Sequence, residues 1–377
     1  KKETVLAQSG LVRDEKNGSI CVPVYYSATY RHPSLGKTTG FDYSRTLNPT
    51  RKVLEDCIAS TENGSNGYAF ASGMAALTAI FSVFSAGDHF IVSEDLYGGT
   101  FRLLDVVFQQ FGFHADFVDT TDPFLIRKFI RKSTKAILIE TPSNPLLRIT
   151  SIPEISKITK EQGLLSIVDN TFMTPYLQQP LNLGADIVVH SGTKYLGGHN
   201  DVLCGMVVTK DPLIGERIGF VQNATGGVLS AHDSFLMLRG MKTLAVRIDR
   251  AQENSSRIAR WLSENQFITK VYYPELENHP GRDIHLSQAD GFGAMISFRV
   301  KNATVAEKVI NSVKLISFAE SLGGVESLIT YPIVQTHGSI PEEMRDRIGI
   351  TDDLLRLSVG IEHIDDLIED LSQAIEG

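Results

Sequence analysis

Two hydroxyls and a lysine, Ser191, Thr193 and Lys194, stand together in the stretch His190-Ser-Gly-Thr-Lys-Tyr-Leu-Gly-Gly-His199. They follow the apolar run Asp186–Val189, which predicts a short buried strand. An isolated ammonium at such a strand end is costly to desolvate, so a lysine here asks for a chemical reason. As a neutral amine it can hold a carbonyl group as a Schiff base, while the hydroxyls beside it hold an anion. The plainer reading is a loop lysine whose stem packs on the surface while its charge reaches water.

A carboxylate upstream weighs on the choice. Leu164–Thr171 reads as another strand, and it ends in Asp169. Ligands of open α/β sheets bind beyond the carboxyl ends of the strands. A lysine and an aspartate at two such ends form a chemical pair with one obvious cofactor, pyridoxal 5'-phosphate. The lysine carries its aldehyde, and the aspartate keeps its pyridine nitrogen protonated so that the ring works as an electron sink. By itself Asp169 would be a turn-forming or capping residue.

Other stretches gain meaning beside that pair. Ala71-Ser-Gly-Met-Ala-Ala76 follows a predicted strand and opens the apolar helix 75–84, with Ser72, Gly73 and Met74 at its start. Amides and small residues at a helix N-terminus form an anion site, although Ser72 also suits a simple N-cap. Tyr97 follows the 90–93 run and can stack on a pyridine ring or move a proton. Glu140-Thr-Pro-Ser-Asn-Pro145 ends another run in a rigid turn, where Asn144 either meets the cofactor's phenolic oxygen or serves the turn alone.

These residues need a scaffold, and the patterning describes one. Short β-rich runs recur at 68–71, 90–93, 115–118, 136–140, 165–169, 186–190 and 206–209, with amphipathic segments such as 101–111 and 152–160 between them. That alternation predicts a mostly parallel sheet with helices on its faces. Residues 1–45 lack periodicity and read as an arm that docks on another surface. The run 233–265 predicts one long or kinked helix, weakest at Gly240. Beyond it an α+β pattern follows, with strands at 293–300, 315–319 and 354–359 and helices at 305–313 and 363–375. A chain of 377 residues favours more than one core, and the expected division is an arm at 1–45, a large domain at 46–235 and a C-terminal domain at 236–377.

Composition removes other classes. The net charge is −8 without a block of Lys or Arg, which argues against nucleic acid or an anionic membrane as partner. Cys21, Cys57 and Cys204 show no metal-ligand spacing and fit thiols in a reducing compartment. No apolar run approaches spanning length, and the polar start Lys1–Thr4 lacks a leader's apolar core, so a cytoplasmic location is expected.

In unbroken order from about residue 5 to residue 375, these motifs resemble the cystathionine γ-synthase/cystathionine γ-lyase family. The further motifs are Phe41–Thr50, His190–His199, Ala319-Glu-Ser-Leu-Gly-Gly324 and Leu355-Arg-Leu-Ser-Val-Gly360. The resemblance implies the type I (aspartate aminotransferase-like) fold of pyridoxal-phosphate enzymes. That fold has a mostly parallel seven-stranded sheet with helices on both faces and a smaller α+β C-terminal domain. It also implies a homotetramer, a dimer of dimers with shared active sites, in which Tyr43 and Arg45 reach a neighbour's cofactor phosphate. Gly73, Met74, Ser191 and Thr193 then form the in-chain phosphate cradle, and Ser72 and Thr171 are further cofactor-binding residues. Arg356 takes the α-carboxylate of small amino-acid substrates, as a bidentate guanidinium suits.

Relatives of this kind run γ-replacement, γ-elimination or β-elimination, with Lys194 as the moving base and Tyr97 beside it. Glu320, just before Ser321, matches γ-active members, and with Asp42 it suits an ammonium at the distal end of the substrate. Arg102 suits an acyl group or a distal carboxylate. The expectation is a cystathionine γ-synthase joining O-acyl-homoserine and cysteine, and possibly sulfide as acceptor. The alternative is a cystathionine γ-lyase or bifunctional lyase, and remotely a non-catalytic regulatory protein that keeps the cofactor.

Overall fold

The computed structural model describes residues 1–11, 17–338 and 340–377. Seven strands, β1 (Asn66–Phe70), β2 (His89–Ser93), β3 (His114–Val118), β4 (Thr134–Glu140), β5 (Leu165–Asp169), β6 (Ile187–Ser191) and β7 (Gly205–Thr209), form one sheet. Their order is β1-β7-β6-β5-β4-β2-β3, and only β7 runs against its neighbours. All seven fall on the predicted β-rich runs. The reason is burial on both faces, which makes such strands continuous apolar runs rather than alternating ones.

Strand period two divides those apolar residues between two cores. Ile139, Val168, Val188 and Val208 enter one core, with helix Pro49–Thr61 and helix Ile152–Gln162. Leu138, Ile167, Val189 and Val207 enter the other, beneath helix Gly73–Phe81 and its Phe81. By the same period Glu140, Asp169 and Ser191 extend the Leu138, Ile167 and Val189 rows at the carboxyl ends of β4, β5 and β6. The pairing sets Glu140 opposite Asp169, and Asp169 opposite Val189. Chemistry-bearing side chains thus share one face and one edge.

A second sheet contains β8 (Ile268–Tyr272), β9 (Met295–Val300), β10 (Ser317–Phe318), β11 (Leu328–Thr330) and β12 (Leu354–Ser358), in the order β10-β11-β12-β9-β8. Helices Leu244–Glu264, Ala303–Ser312 and Ile364–Glu376 share a core with it, and the last buries Ile364, Leu367, Leu371 and Ile375 as its periodicity predicts. Strands β8 and β11 escape sequence reading: β8 is a partly exposed edge with an irregular register, and β11 has three residues.

Two elements differ from expectation. The long helix is two helices, Ala231–Met241 and Leu244–Glu264. Gly240 is there for close approach: a Cβ would stand 2.3 Å from the Gly197 carbonyl oxygen. At the break the Gly240 carbonyl accepts from Arg247 Nη2 at 2.9 Å and from the Thr243 hydroxyl at 3.1 Å. Arg247 Nη1 also donates to the Tyr195 carbonyl at 2.8 Å, so this junction pins the loop that carries Lys194. The amphipathic stretch 101–111 is a short turn at Gly98–Phe101, a π-turn at Arg102–Val107 and a 3-10 turn at Phe108–Phe111.

Residues 17–47 contain no named strand or helix and are largely exposed, Tyr26 at 74 %. Their base is held by buried polar groups. Asn48 caps helix Pro49–Thr61 and donates to the Tyr25 carbonyl at 2.8 Å, while Arg51 Nη1 donates to the Ser44 carbonyl at 2.7 Å. The boundary expected at 235/236 falls inside helix Ala231–Met241. No helix among the described residues is long and apolar enough to cross a membrane.

Candidate active site

A cleft of about 360 Å³ opens where the carboxyl ends of β4, β5 and β6 meet the Ser321 loop and β12. Helix Gly73–Phe81 starts at its floor. The Ser72 hydroxyl accepts from the Ala75 amide at 3.1 Å, so Ser72 is an N-cap, and the Gly73 and Met74 amides lie in the unpaired first turn. Close packing imposes the small residues. A Cβ on Gly73 would meet Ser191 Cβ and Oγ at 3.1 and 3.2 Å, and one on Gly205 would stand 2.1 Å from the Ser72 carbonyl oxygen. The Thr193 hydroxyl is locked to the Cys204 backbone, accepting from its amide at 3.0 Å. Ser72, Gly73, Met74, Ser191 and Thr193 all border the cleft, and a helix start with hydroxyls around it fits a phosphate.

Lys194 points into the same space, and its Nζ donates to the Ser321 hydroxyl at 2.6 Å. Burial, then the positive Arg356, lower its pKa to about 8, against the pull of Glu320. Ser321 has φ 92°, a left-handed conformation that a non-glycine residue adopts at a cost. Asp169 Oδ1 accepts from the Thr171 amide at 3.0 Å and its hydroxyl at 2.5 Å, and that hydroxyl accepts from the Ser191 amide at 2.8 Å. Through Thr171 the aspartate is therefore tied to the Ser191 backbone, as a turn-forming residue and as a cleft residue at once. Burial raises its pKa from the ordinary value.

Tyr97 and Arg356 close the walls. A Cβ on Gly99 would lie 2.4 Å from Tyr97 Cε1, so the ring rests against bare backbone. The Tyr97 amide donates to Glu140 Oε2 at 3.1 Å. Arg356, 2 % exposed on β12, donates to Asn144 Oδ1 at 2.8 Å, the Thr330 hydroxyl at 3.1 Å and the Ser321 carbonyl at 3.0 Å. Its Nε is buried and has no partner among the described residues, an orphan donor that a carboxylate would satisfy. Burial lowers its pKa to about 10, which leaves it charged at neutral pH. Glu320 is exposed at the mouth, where the cleft continues into a side recess that also holds Asp201 and Glu326.

Thirteen of the predicted residues border this cleft: Ser72, Gly73, Met74, Tyr97, Asn144, Asp169, Thr171, Ser191, Thr193, Lys194, Glu320, Ser321 and Arg356. Four do not. Asp42 accepts from the Thr38 hydroxyl at 2.9 Å and lies 3.1 Å from His32 Nε2. Arg45 donates to Asn223 Oδ1 at 3.0 Å and covers the Tyr43 ring at 5.5 Å. Arg102 is exposed at the start of the π-turn. Sequence reading missed His337, which is wholly buried, is held neutral by burial with a pKa of about 4, and lies 3.0 Å from the Asn144 carbonyl and 3.1 Å from that of Leu96. No spacing signal marks it. It also assigned no role to Glu140, whose place opposite Asp169 depends on strand order.

A type I fold whose strand ends gather a lysine, an aspartate and a helix start ringed by hydroxyls suits a pyridoxal-phosphate-dependent enzyme. The chain belongs to the Cys/Met metabolism PLP-dependent enzyme family, matched over residues 3–376, and pyridoxal 5'-phosphate is its cofactor. It is 50% identical over 376 residues to a cystathionine gamma-lyase of Bacillus subtilis, covering 100% of this chain and 99% of the relative. It is 51% identical over 373 residues to a cystathionine gamma-synthase/O-acetylhomoserine (thiol)-lyase of the same organism, covering 99% and 96%. The crystal structure of a cystathionine gamma-lyase from Lactobacillus plantarum complexed with L-serine superposes with a TM-score of 0.97 at 48% identity, covering 100% of this chain and 98% of that one. Small amino acids of the cystathionine group are the substrates that fit this family.

Proposed function

We propose that the chain is a cystathionine γ-synthase that replaces the acyl group of O-acyl-homoserine with cysteine. The observation that carries this reading is Glu320 at the cleft mouth, near enough to Lys194 to act on its charge and shared with the side recess. That recess offers a second amino acid room to enter while the first is held. In this reading Arg356 binds the first substrate's α-carboxylate through its orphan Nε edge. Lys194 removes the α-proton, then moves a proton at the β-carbon, so that the γ-substituent can leave. Bound cofactor supplies the electron sink for the charge that the α-proton leaves behind. Asp169, with Thr171 bonded to it, would hold the ring nitrogen, Tyr97 and Asn144 would hold the ring, and Ser72, Gly73, Met74, Ser191 and Thr193 would hold the phosphate. Glu320 holds the ammonium of the incoming cysteine, and sulfide is a second acceptor.

A cystathionine γ-lyase is the second reading, supported by the full-length likeness to the two γ-lyases. Product analysis separates them. O-acetylhomoserine plus cysteine should yield cystathionine faster than cystathionine alone yields cysteine, 2-oxobutanoate and ammonia; the reverse order favours the lyase. The Glu320→Ala variant refines the test. It should form 2-oxobutanoate from O-acyl-homoserine at nearly the parent rate, yet capture cysteine about ten- to a hundredfold less well, for a lost contact of roughly 1.5–3 kcal/mol. Sulfide carries no ammonium and should be far less affected. Equal losses with both acceptors would remove Glu320 from that role.

The same proposal includes a cytoplasmic homotetramer, a dimer of dimers, supported by three unpaired cysteines and by the exposed arm that carries Asp42, Tyr43 and Arg45. Those residues would complete a neighbour's site, with Arg102 near its substrate. Inactive Arg45→Ala and Lys194→Ala chains, co-refolded, should regain partial activity, because one mixed site joins the intact lysine to the intact arginine. Verified hybrids without activity would exclude the shared site.

A further inference from the structure

Glu140 is the last residue of β4, and strand register places it directly opposite Asp169 on β5. Both side chains border the cleft, and Glu140 is 8 % exposed. Asp95, just past the end of β2 on the next strand over, is a second buried carboxyl beside Glu140 and the half-buried Asp169. His190, which also bonds Glu62 at 2.7 Å, acts on Asp169. Arg356, the cation acting on Glu140, directs its hydrogen bonds to Asn144, Ser321 and Thr330. Arg148, which faces Asp95, donates to Glu94 at 3.2 Å. Carboxyls set side by side with little solvent raise one another's pKa, and the one with the fewest donors is raised most.

The hydrogen bonds decide which. Asp169 Oδ1 accepts two donors, the amide and the hydroxyl of Thr171, and both favour the anion. Glu140 accepts a single donor, the Tyr97 amide. The Asp95 carboxylate accepts from the Ser143 hydroxyl and from the Leu146 amide. We propose that Glu140 is a positioning residue that carries its proton at neutral pH, tethers the Tyr97 ring wall through the Tyr97 amide, and leaves Asp169 as the anion that would meet the cofactor's ring nitrogen. Burial and the Asp169 charge, with Asp95 behind it, hold the Glu140 pKa well above the ordinary range, while Tyr97 and Arg356 oppose them. Lys194 and Glu320 face the same cleft from the other wall. Were Glu140 ionised, its charge would force the proton onto Asp169, which could then no longer hold a protonated ring nitrogen. The inference rests on the role proposed for Asp169, and it explains why a glutamate and an aspartate stand side by side without repelling each other.

The test uses the cofactor-free chain, so that its outcome is independent of turnover. A carboxyl whose folded pKa is raised contributes stability that is present at low pH and lost as pH rises toward that folded value. As pH rises above the ordinary carboxyl range the thermal midpoint of the wild type should therefore fall more steeply than that of Glu140→Gln, which keeps an oxygen for the Tyr97 amide. Infrared difference spectra of the wild type should show a protonated carboxyl at neutral pH that the Gln variant lacks. Affinity for added pyridoxal phosphate should drop about tenfold in Glu140→Ala, from the orphaned Tyr97 amide, and recover in Glu140→Gln. Parallel unfolding slopes, no protonated carboxyl, or a Gln variant as weak as the Ala variant would overturn the proposal. A wild type that fails to bind pyridoxal phosphate would instead overturn the reading of Asp169, and the unfolding and infrared results would still decide the state of Glu140.

Discussion

Lys194→Ala is expected to lower kcat by at least about 10⁴-fold, because in the proposed reading one amine carries both the covalent attachment and the proton transfers. The variant should still take up cofactor, since the cradle of helix start and hydroxyls does not involve the lysine side chain. The fold should survive: Lys194 Nζ makes one side-chain hydrogen bond, to Ser321. Burial and Arg356 lower the amine to about 8, so its neutral, nucleophilic fraction grows tenfold per pH unit up to that value and then levels. Rapid-mixing absorbance should show cofactor attachment to the apo wild type speeding up from neutral pH toward about 8 and flattening above it. The alanine variant should show no pH-dependent attachment. An attachment rate without that inflection, or turnover within tenfold of wild type, would reject Lys194 as the base.

What the sequence made legible follows from where the physics is local. Lys194 and Asp169 stood out because each ends an apolar run, and a charge at such a place calls for a partner. Ser72 could be placed at a helix start by its N-cap chemistry. Glu140 lay in plain view in its turn, but the pairing of β4 with β5 is a tertiary fact that no local pattern encodes, and with it goes the proximity of the two carboxyls. Gly240 read as a weak point in a helix. It is instead where that helix touches the lysine loop, and Arg247 then caps the break. His337 acts through backbone carbonyls brought together from Leu96 and Asn144, a distance in sequence that spacing cannot signal. Arg356 on its own reads as an ion-pairing strand residue. Only the family resemblance singled it out, and the structure adds the buried orphan donor that gives it a ligand to seek.

That donor makes Arg356→Lys the informative conservative change. The guanidinium bonds three groups at once, Asn144 Oδ1, the Thr330 hydroxyl and the Ser321 carbonyl, and still presents Nε. A lysine ammonium is a point charge and cannot reach this set while offering a second edge to a carboxylate. Two charge-assisted bonds lost or weakened, at roughly 1.5–3 kcal/mol each, predict a fall in kcat/KM of about 10²–10⁴-fold. If Arg356 binds the α-carboxylate equally in the ground and transition states, most of that loss appears as a higher KM. A purely structural arginine would act otherwise, lowering the thermal midpoint and kcat together as the Asn144–Ser321–Thr330 cluster loosened. The two are separated by a substrate analogue that lacks the α-carboxylate. It should react equally poorly with wild type and Arg356→Lys, because the group that distinguishes the two proteins is gone. A variant that discriminates against the analogue as strongly as wild type does would show that the carboxylate is bound elsewhere.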